Sequence, residues 1–255
     1  MPKPEPKTDW TVWTQPEVAI KFSNDRRAGI MGAEDQLTIL RQLLPKRDPQ
    51  SREVWALDMG CGDGILLDTV FSRWQGAKGI ALDGSEPMLE LAKKRFSKSQ
   101  NADVVFVHTD FNDANWRDNL PVRSFSAVVS GFAIHHSEDE RKREIYAEVF
   151  EMLEPGGVFV NTEHVASATP HGEGLFEFAY AQSLTRKRQA EGRNVTFEET
   201  LEEVTLRLDK SANRLVPVAT QTQWLSDIGY TDVDCYWKHY ELAIIAGYKP
   251  LSLTP

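Results

Sequence analysis

The sequence predicts an α/β fold built on a doubly wound, mostly parallel sheet. From residue 54 to residue 164, short apolar runs alternate with amphipathic segments, which is the pattern of strands joined by crossover helices. A glycine-rich turn directly follows the first of these runs. Near the C-terminus, two further apolar runs stand close enough together to predict an antiparallel pair. These three observations predict a seven-stranded sheet with an antiparallel last strand.

The glycine-rich turn predicts a ligand-binding loop. It reads Asp58-Met59-Gly60-Cys61-Gly62-Asp63-Gly64, and the run 65–71 after it has the apolar spacing of a helix. Glycine at every second position lets the backbone take positive φ and lets a ligand approach without meeting a Cβ atom. The N–H groups and the dipole at the start of that helix then face the ligand. A dinucleotide fingerprint would require glycine where the chain has Ile65, so the pattern disfavours NAD.

Acidic residues follow the second and third predicted strands. The strand 79–82 ends in Asp83, which is placed to accept hydrogen bonds from ribose hydroxyls. The strand 103–108 is followed by Asp110. An aspartate after a strand is also a common turn former, so a ligand contact and a turn remain alternatives for Asp110.

In the segments 57–64 and 82–89, the sequence resembles the class I S-adenosylmethionine (SAM) methyltransferases, and the resemblance extends over nearly all of residues 50–249. It implies a Rossmann-like fold, SAM as cofactor and S-adenosylhomocysteine as product. It also implies that Asp83 holds the ribose, that Asp110 accepts from the adenine amino group, and that Phe111 packs on the ring. The residues that we expect to bind the cofactor are Asp58, Gly60, Cys61, Gly62, Gly64, Asp83, Gly84, Met88, Asp110, Phe111, Phe132 and Arg27.

Four segments describe the predicted organisation. Residues 1–50 form a tail and a helical arm, in which Asn24 begins a helix that runs to Leu44 and Arg27 is placed to meet the methionine carboxylate or to lie on the surface. Residues 51–164 form the Rossmann-like core and residues 220–249 complete its sheet. Residues 165–219 break the alternation with two amphipathic helices, near 173–191 and 197–210. Because this stretch is too long for an ordinary connection, we interpret it as a helical lid.

Titratable residues at the ends of the fourth and fifth strands are the candidates for proton transfer. Histidine titrates near working pH, so we predict catalytic roles for His135, His136 and His164. The alternative role for His135 and His136 is structural: they would shape the loop beside the cofactor. For the substrate, the predicted contacts are His136, Glu163, Phe176 and Tyr180. In the lid, Phe178 and Leu184 could also form the wall of an apolar pocket. The basic cluster 186–188 is compatible with an anionic substrate.

Charge, apolar content and cysteine content restrict the partners and the compartment that we expect for this protein. The net charge is −9, from 29 basic against 38 acidic residues, whereas a nucleic-acid binder usually shows a basic face. We find neither a long apolar run that could cross a membrane nor a signal peptide. Cys61 and Cys235 do not suggest a disulfide framework, so we expect a cytoplasmic protein. We expect no metal, because no tight His/Cys ligand spacing occurs. The sequence leaves a homodimer open.

The predicted function is methyl transfer from SAM to a small molecule by in-line displacement, with O, N, C or S as the accepting atom. The segment 224–238 loosely resembles the enzymes of wobble-uridine carboxymethoxy modification, a group that includes a carboxy-SAM synthase. A carboxy-SAM synthase-like or tRNA-modification enzyme is therefore one alternative. A non-catalytic SAM-binding module is the alternative from another class.

Overall fold

A computed structural model of the chain describes residues 10–21, 29–46, 53–98 and 103–251. The strands are β1 (Trp55–Met59), β2 (Lys78–Asp83), β3 (Asp103–His108), β4 (Phe125–Gly131), β5 (Leu153–His164), β6 (Thr231–His239) and β7 (Leu242–Tyr248). The helices are α1 (Pro16–Lys21), α2 (Ala33–Leu43), α3 (Ile65–Arg73), α4 (Glu86–Phe96), α5 (Asp139–Met152), α6 (Pro170–Ala190), α7 (Phe197–Thr205) and α8 (Val218–Ile228). The 3-10 segments are Trp10–Thr14, Trp116–Asn119, Ile134–His136 and Leu208–Ala212.

The strands form one sheet in the order β3-β2-β1-β4-β5-β7-β6. Strands β1 to β5 are parallel, and β7 lies antiparallel between β5 and β6. This arrangement confirms the predicted fold class. Strand order reverses between β1 and β4, and ligands of open α/β sheets bind outside the carboxyl ends of the strands at such a point.

The sheet is covered on both faces. One hydrophobic cluster joins it to α5 and α8 through Tyr146 and Leu225, and the other joins it to α2, α3 and α4 through residues such as Leu40 and Leu67. Strand β1 is buried along most of its length because helices lie on both of its sides. A strand enclosed in this way is continuously apolar rather than alternating, which is why the sequence of β1 indicates a parallel sheet.

Residues 165–217 form a helical insertion between β5 and α8. Helices α6 and α7 pack together around Ala181, Leu184 and Val204. Helix α6 begins three residues before its predicted start, because the Thr169 hydroxyl accepts a hydrogen bond from the Gly172 N–H. Helix α7 begins at a capping box and ends before its predicted end, so that the last part of the predicted helix is a 3-10 segment.

The N-terminal arm differs from its prediction. The short helix α1 agrees with the helical stretch expected near residues 15–22. The predicted start of the next helix, at Asn24, lies outside the described residues. Helix α2 begins at Ala33, after Gly32 with a φ of 69°. A left-handed residue at this place interrupts a continuous helix, so the predicted single helix to Leu44 is wrong over residues 29–32.

Replacement of Gly64 by alanine should destabilise the fold. Gly64 has a φ of +79°, and an added Cβ would lie 2.7 Å from Cε2 of Phe96. Because both the backbone and helix α4 would have to shift, Gly64→Ala should lower the free energy of unfolding by about 1–3 kcal/mol. Gly174→Ala is the matched control: it lies in α6 with open space around its Cβ, and should raise that free energy by about 0.5–1 kcal/mol. Urea denaturation measures both, and equal effects would contradict the packing role of Gly64.

Candidate active site

The carboxyl ends of β1 to β4 open onto one cavity at the point where strand order reverses. This first cavity encloses about 630 Å³ including its mouth. It is lined by Trp13, Gly60, Gly62, Asp83, Gly84, Met88, Asp110, Phe111, Asn112, Gly131, Phe132, Ala133 and His136. Most of the residues predicted to bind a cofactor therefore lie on one surface.

The three glycines of the turn have different environments. All three have positive φ, but a Cβ on Gly60 would lie 2.3 Å from Cβ of Ala133, and one on Gly64 would strike Phe96. A Cβ on Gly62 would meet no atom within 4 Å. Gly60 and Gly62 line the first cavity, whereas Gly64 begins helix α3 away from it. Gly64 thus shapes the turn, and the direct cofactor contact predicted for it does not fit this position.

Asp83 connects the glycine turn to the end of β2. Its carboxylate accepts hydrogen bonds from the Gly62 N–H at 2.9 Å and from the Ser85 N–H at 2.8 Å. Burial raises the pKa of Asp83 to about 6, although these two hydrogen bonds act in the opposite direction. Each carboxylate oxygen has further acceptor capacity, so the group can receive hydroxyl donors from a ligand in the first cavity.

The other end of the first cavity combines polar and apolar walls. Asp110 lines it, and its Oδ1 accepts from both the backbone and the side-chain nitrogen of Asn112 at 2.8 Å. Met88, Phe111 and Phe132 supply apolar lining. This combination suits a flat heteroaromatic ring with an amino donor, which is the environment predicted from Asp110 and Phe111.

A rear cavity of about 1070 Å³ lies between the glycine turn and α2, and it shares Gly60, Gly62, Gly131 and Phe132 with the first. Asp58 and Cys61 line this rear cavity rather than the first one. Asp58 is fully buried, and its Oδ2 accepts from the Leu67 N–H at 3.1 Å, so it anchors α3 to β1. Burial raises the pKa of Cys61, which keeps its thiol protonated. The predicted contact at Arg27 lies outside the described residues.

A second cavity of about 590 Å³ meets the first at Trp13 and Phe132. It is lined by Trp13, Ile30, Phe132, His135, His164, Phe176, Tyr180, Arg207, Asn213 and Leu242. The rings of Phe176 and Tyr180 are parallel, with centroids 6.0 Å apart, and belong to α6. Phe178 on the same helix is 48% exposed and packs on Phe197, so it lies outside this cavity.

Two histidines of the second cavity are each held by a buried glutamate. His135 Nδ1 lies 2.6 Å from Glu163 Oε1, and His164 Nε2 lies 2.9 Å from Glu241 Oε2. The centroids of the two imidazole rings are 5.6 Å apart. Both histidines can therefore exchange protons with a molecule in this cavity while a carboxyl group fixes the ring.

The two glutamates differ electrostatically. Burial raises the pKa of Glu163 to about 7, although hydrogen bonds from Asn161 and from the His164 N–H act to lower it. Burial also acts on Glu241, but hydrogen bonds from His164 and Ser167 outweigh it, and the pKa of Glu241 is lowered. Glu163 is fully buried and does not line the second cavity, so its predicted contact with substrate stays a prediction. The side chain lies behind His135.

His136 lies in a different setting from its neighbour. The Trp13 Nε1–H donates to His136 Nε2 at 3.1 Å, so the Nδ1–H is the donor to the Ala212 carbonyl oxygen at 3.2 Å. His136 lines the first cavity, whereas His135 lines the second. With both ring nitrogens engaged, His136 fits the alternative of shaping the loop beside the cofactor better than proton transfer.

Several residues of this region were not predicted from the sequence, among them Trp13, Arg207, Asn213 and Glu241. Trp13 lines both cavities, and its carbonyl oxygen accepts from the Ser85 hydroxyl at 2.7 Å, which ties the N-terminal arm to the start of α4. Glu241 directly precedes β7, and this position next to a predicted strand could have indicated it as a site residue. The loop residues Arg207 and Asn213 carry no motif that could have singled them out.

Within the described part of the chain, no group of three or more His, Cys, Asp or Glu side chains is arranged to hold a metal ion. None of the described helices has the length and apolar character needed to cross a membrane.

Known proteins with similar sequences are methyltransferases and related SAM enzymes. Residues 56–157 match a family model described as a methyltransferase domain. An uncharacterized methyltransferase of Mycobacterium tuberculosis is 33% identical over 116 residues, 46% of this chain and 53% of the relative. The demethylmenaquinone methyltransferase of Clavibacter sepedonicus is 28% identical over 70% of this chain and 66% of its own. A carboxy-S-adenosyl-L-methionine synthase of Shewanella loihica is 28% identical over 57% and 58%. The chain thus spans about half the length of the first of these relatives.

Solved structures show the same fold. The CurJ carbon methyltransferase superposes with a TM-score of 0.62 at 14% identity, covering 93% of this chain and 59% of that one. Phosphoethanolamine N-methyltransferase 2 of Haemonchus contortus, solved with SAM, superposes with a TM-score of 0.54 at 16% identity, covering 85% and 52%. Fold and cavity together define a Rossmann-like α/β protein with a ligand-sized cavity at the carboxyl ends of its strands. Residues 56–157 match a methyltransferase domain, and the fold around them is the one seen in solved methyltransferases.

Glu163→Gln should remove part of the pH dependence of folding stability. The pKa of Glu163 rises from 4.5 to about 7 on burial, so between these values the folded protein holds a proton that the unfolded chain has released. The free energy of unfolding of the wild type should therefore fall as pH rises through this range, and the variant should lack this contribution. Urea denaturation at several pH values measures it, with Glu151→Gln, at a side chain 67% exposed, as control. An unchanged slope in Glu163→Gln would contradict this interpretation.

Proposed function

We propose that this protein transfers a methyl group from SAM in the first cavity to a small molecule in the second. One observation carries the proposal: the two cavities meet at Trp13 and Phe132, so that a cofactor and an acceptor can lie side by side. Holding two reactants side by side lowers the barrier of a displacement reaction, because the entropic cost of bringing them together falls on the binding step and not on the reaction step.

The lining of the first cavity fits SAM. Asp83 would hold the ribose hydroxyls, Asp110 the adenine amino group, and Met88 and Phe111 the faces of the ring. Gly62 leaves open space where a side chain would stand. When bound, SAM supplies a methyl group made electrophilic by its sulfonium. The structure of a phosphoethanolamine N-methyltransferase with SAM supports this choice of cofactor.

His135 is the residue that we propose as general base. An acceptor hydroxyl or acidic C–H in the second cavity would give its proton to the imidazole, and Glu163 would hold the ring and share the resulting charge. The 2.6 Å contact between His135 Nδ1 and Glu163 Oε1 supports this pairing. An acceptor that carries no removable proton would not need this step.

The helical insertion acts as a lid in this proposal. Phe176 and Tyr180 on α6 wall the second cavity, which has the size of an ordinary small-ligand site. The name of one relative, a demethylmenaquinone methyltransferase, also states a small-molecule acceptor. Both observations favour a small molecule over a nucleic acid.

Calorimetry with purified protein tests the cofactor, using SAM, S-adenosylhomocysteine, carboxy-SAM and NADH as ligands. We expect SAM and its product to bind and NADH not to bind. Preference for carboxy-SAM would favour the alternative suggested by the carboxy-SAM synthase relative. Binding of NADH alone would overturn the proposal.

The affinity for SAM should fall as pH is lowered through about 6. The pKa of Asp83 is raised to about 6, and protonation turns one acceptor oxygen into a donor hydroxyl that receives the ribose donors more weakly than a carboxylate oxygen does. Asp83→Asn should weaken binding about 10- to 100-fold and remove this pH dependence. Asp118→Asn, at a side chain 69% exposed, is the matched control. Calorimetry at several pH values measures all three proteins, and the same pH profile in Asp83→Asn as in wild type would place the ribose elsewhere.

His135→Asn should reduce turnover without reducing SAM affinity. Loss of a general base lowers the rate about 10²- to 10⁴-fold, while His135 lies outside the first cavity. The measurement is release of S-adenosylhomocysteine with an acceptor found by screening small molecules in the same assay. His239→Asn, on the exposed surface of β6, serves as control. Undiminished turnover in His135→Asn would exclude it as the base.

A further inference from the structure

We propose that Asn112 and Ser137 set the cofactor specificity of the first cavity, because they hold the carboxylate of Asp110 as a fixed hydrogen-bond acceptor for the amino group of adenine. This inference rests on the proposed function, since it concerns the base of the cofactor placed there. The sequence did not indicate either side chain as a site residue. Both act through Asp110, so they are positioning residues.

Asp110 and Asn112 lie together on the wall of the first cavity. The backbone N–H of Asn112 and its side-chain Nδ2 both donate to Oδ1 of Asp110 at 2.8 Å. Because two donors meet the same oxygen, rotation of the carboxylate is restricted, and Oδ2 points away from Asn112. In the described part of the chain, both side-chain hydrogen bonds of Asp110 reach Oδ1, which leaves the acceptor capacity of Oδ2 to a ligand.

Ser137 sets the orientation of the Asn112 amide. The Ser137 hydroxyl donates to Oδ1 of Asn112 at 2.6 Å. An amide carries its acceptor and its donors on separate arms, so a hydroxyl at the carbonyl oxygen leaves the NH2 group facing Asp110. The reverse orientation would bring the amide oxygen against the carboxylate of Asp110, and two acceptors repel each other. The three side chains therefore form a chain of hydrogen bonds with one direction.

The hydroxyl of Ser137 serves this chain rather than a helix. Ser137 is 2% exposed and lies two residues before the start of α5. A serine next to a helix start is typical of a helix cap, but the N-cap of α5 is Glu138, whose side chain makes no cap hydrogen bond. The bond from Ser137 to Asn112 joins the loop after β4 to the loop after β3, across 25 residues of the chain.

The backbone between Asp110 and Asn112 is held from α5. The Arg141 guanidinium donates to the Phe111 carbonyl oxygen from Nη2 at 2.6 Å and from Nε at 3.3 Å. Its Nη1 pairs with Glu148 at 2.9 Å, so the guanidinium is itself anchored. Backbone and side chain of Asp110 are thus ordered before a ligand binds. The entropic cost of ordering the acceptor then does not oppose binding.

A fixed acceptor selects purines by the group at position 6. The 6-amino group of adenine donates a hydrogen bond, whereas a hydrogen atom at this position provides no polar donor and an oxo group provides a second acceptor. A site built around such a hydrogen bond rejects an analogue that lacks the donor, because the polar group of the site is left without a partner. The first cavity should therefore bind adenine cofactors in preference to 6-deamino and 6-oxo analogues.

Binding of matched nucleoside ligands tests the inference without any turnover. The ligands are S-adenosylhomocysteine and its 6-deamino analogue, in which purine replaces adenine, titrated by calorimetry at neutral pH. The wild type should bind S-adenosylhomocysteine about 10- to 100-fold more tightly, because the analogue lacks one hydrogen bond to a carboxylate. Asn112→Ala should reduce this preference about 5- to 10-fold, by weakening S-adenosylhomocysteine and not the analogue. Ser137→Ala should reduce it about 2- to 5-fold.

Asn119→Ala is the matched control. Asn119 also lies between β3 and β4, and its amide donates to the Thr109 hydroxyl at 2.9 Å, but it does not line the first cavity. This variant should keep the wild-type preference. Asp110→Ala should abolish the preference, and Asn112→Ala added to it should cause no further change, because Asn112 acts through Asp110.

An unchanged preference in Asn112→Ala, or an equal loss of affinity for both ligands, would overturn the positioning role. Thermal denaturation checks that each variant is folded, and Ser137→Ala supplies the test if Asn112→Ala unfolds. A wild type that does not bind S-adenosylhomocysteine would overturn the proposed function and this inference with it. A wild type that binds both ligands equally would overturn this inference alone.

Discussion

The site depends first on the carboxylate of Asp83. By accepting the Gly62 N–H and the Ser85 N–H, it fixes the turn after β1 against the start of α4. The Ser85 hydroxyl in turn holds the carbonyl of Trp13, and the Trp13 indole holds His136. One partly buried acid thus organises the glycine turn, the N-terminal arm and the loop after β4. The cost of burying it is evident in its raised pKa.

A second constraint lies beneath the two histidines. Glu163 accepts from Asn161, whose amide also donates to the Tyr146 hydroxyl, and Tyr146 donates to Gln221 on α8. Buried polar groups of this kind are expensive unless they are hydrogen-bonded. The network joins β5, α5 and α8, so the position of His135 depends on two helices, α5 and α8, that line neither the first nor the second cavity.

The two cavities differ in the polar side chains that line them. Carboxylates of Asp83 and Asp110 lie on the first, which suits a cationic cofactor, and donor groups lie on the second. The boundary between them is formed by Trp13 and Phe132, two aromatic side chains without charge.

The sequence by itself determined the strands, their parallel order and the lining of the first cavity, because glycine spacing and strand-end acids are local signals. Gly62, Asp83 and Asp110 lie where the pattern predicted. Only the tertiary structure decided that Glu163 lies behind His135, and that Gly64 packs on Phe96 rather than on a ligand. It alone brought Arg207 to the second cavity, because contacts between segments far apart in the chain leave no periodic trace in the sequence.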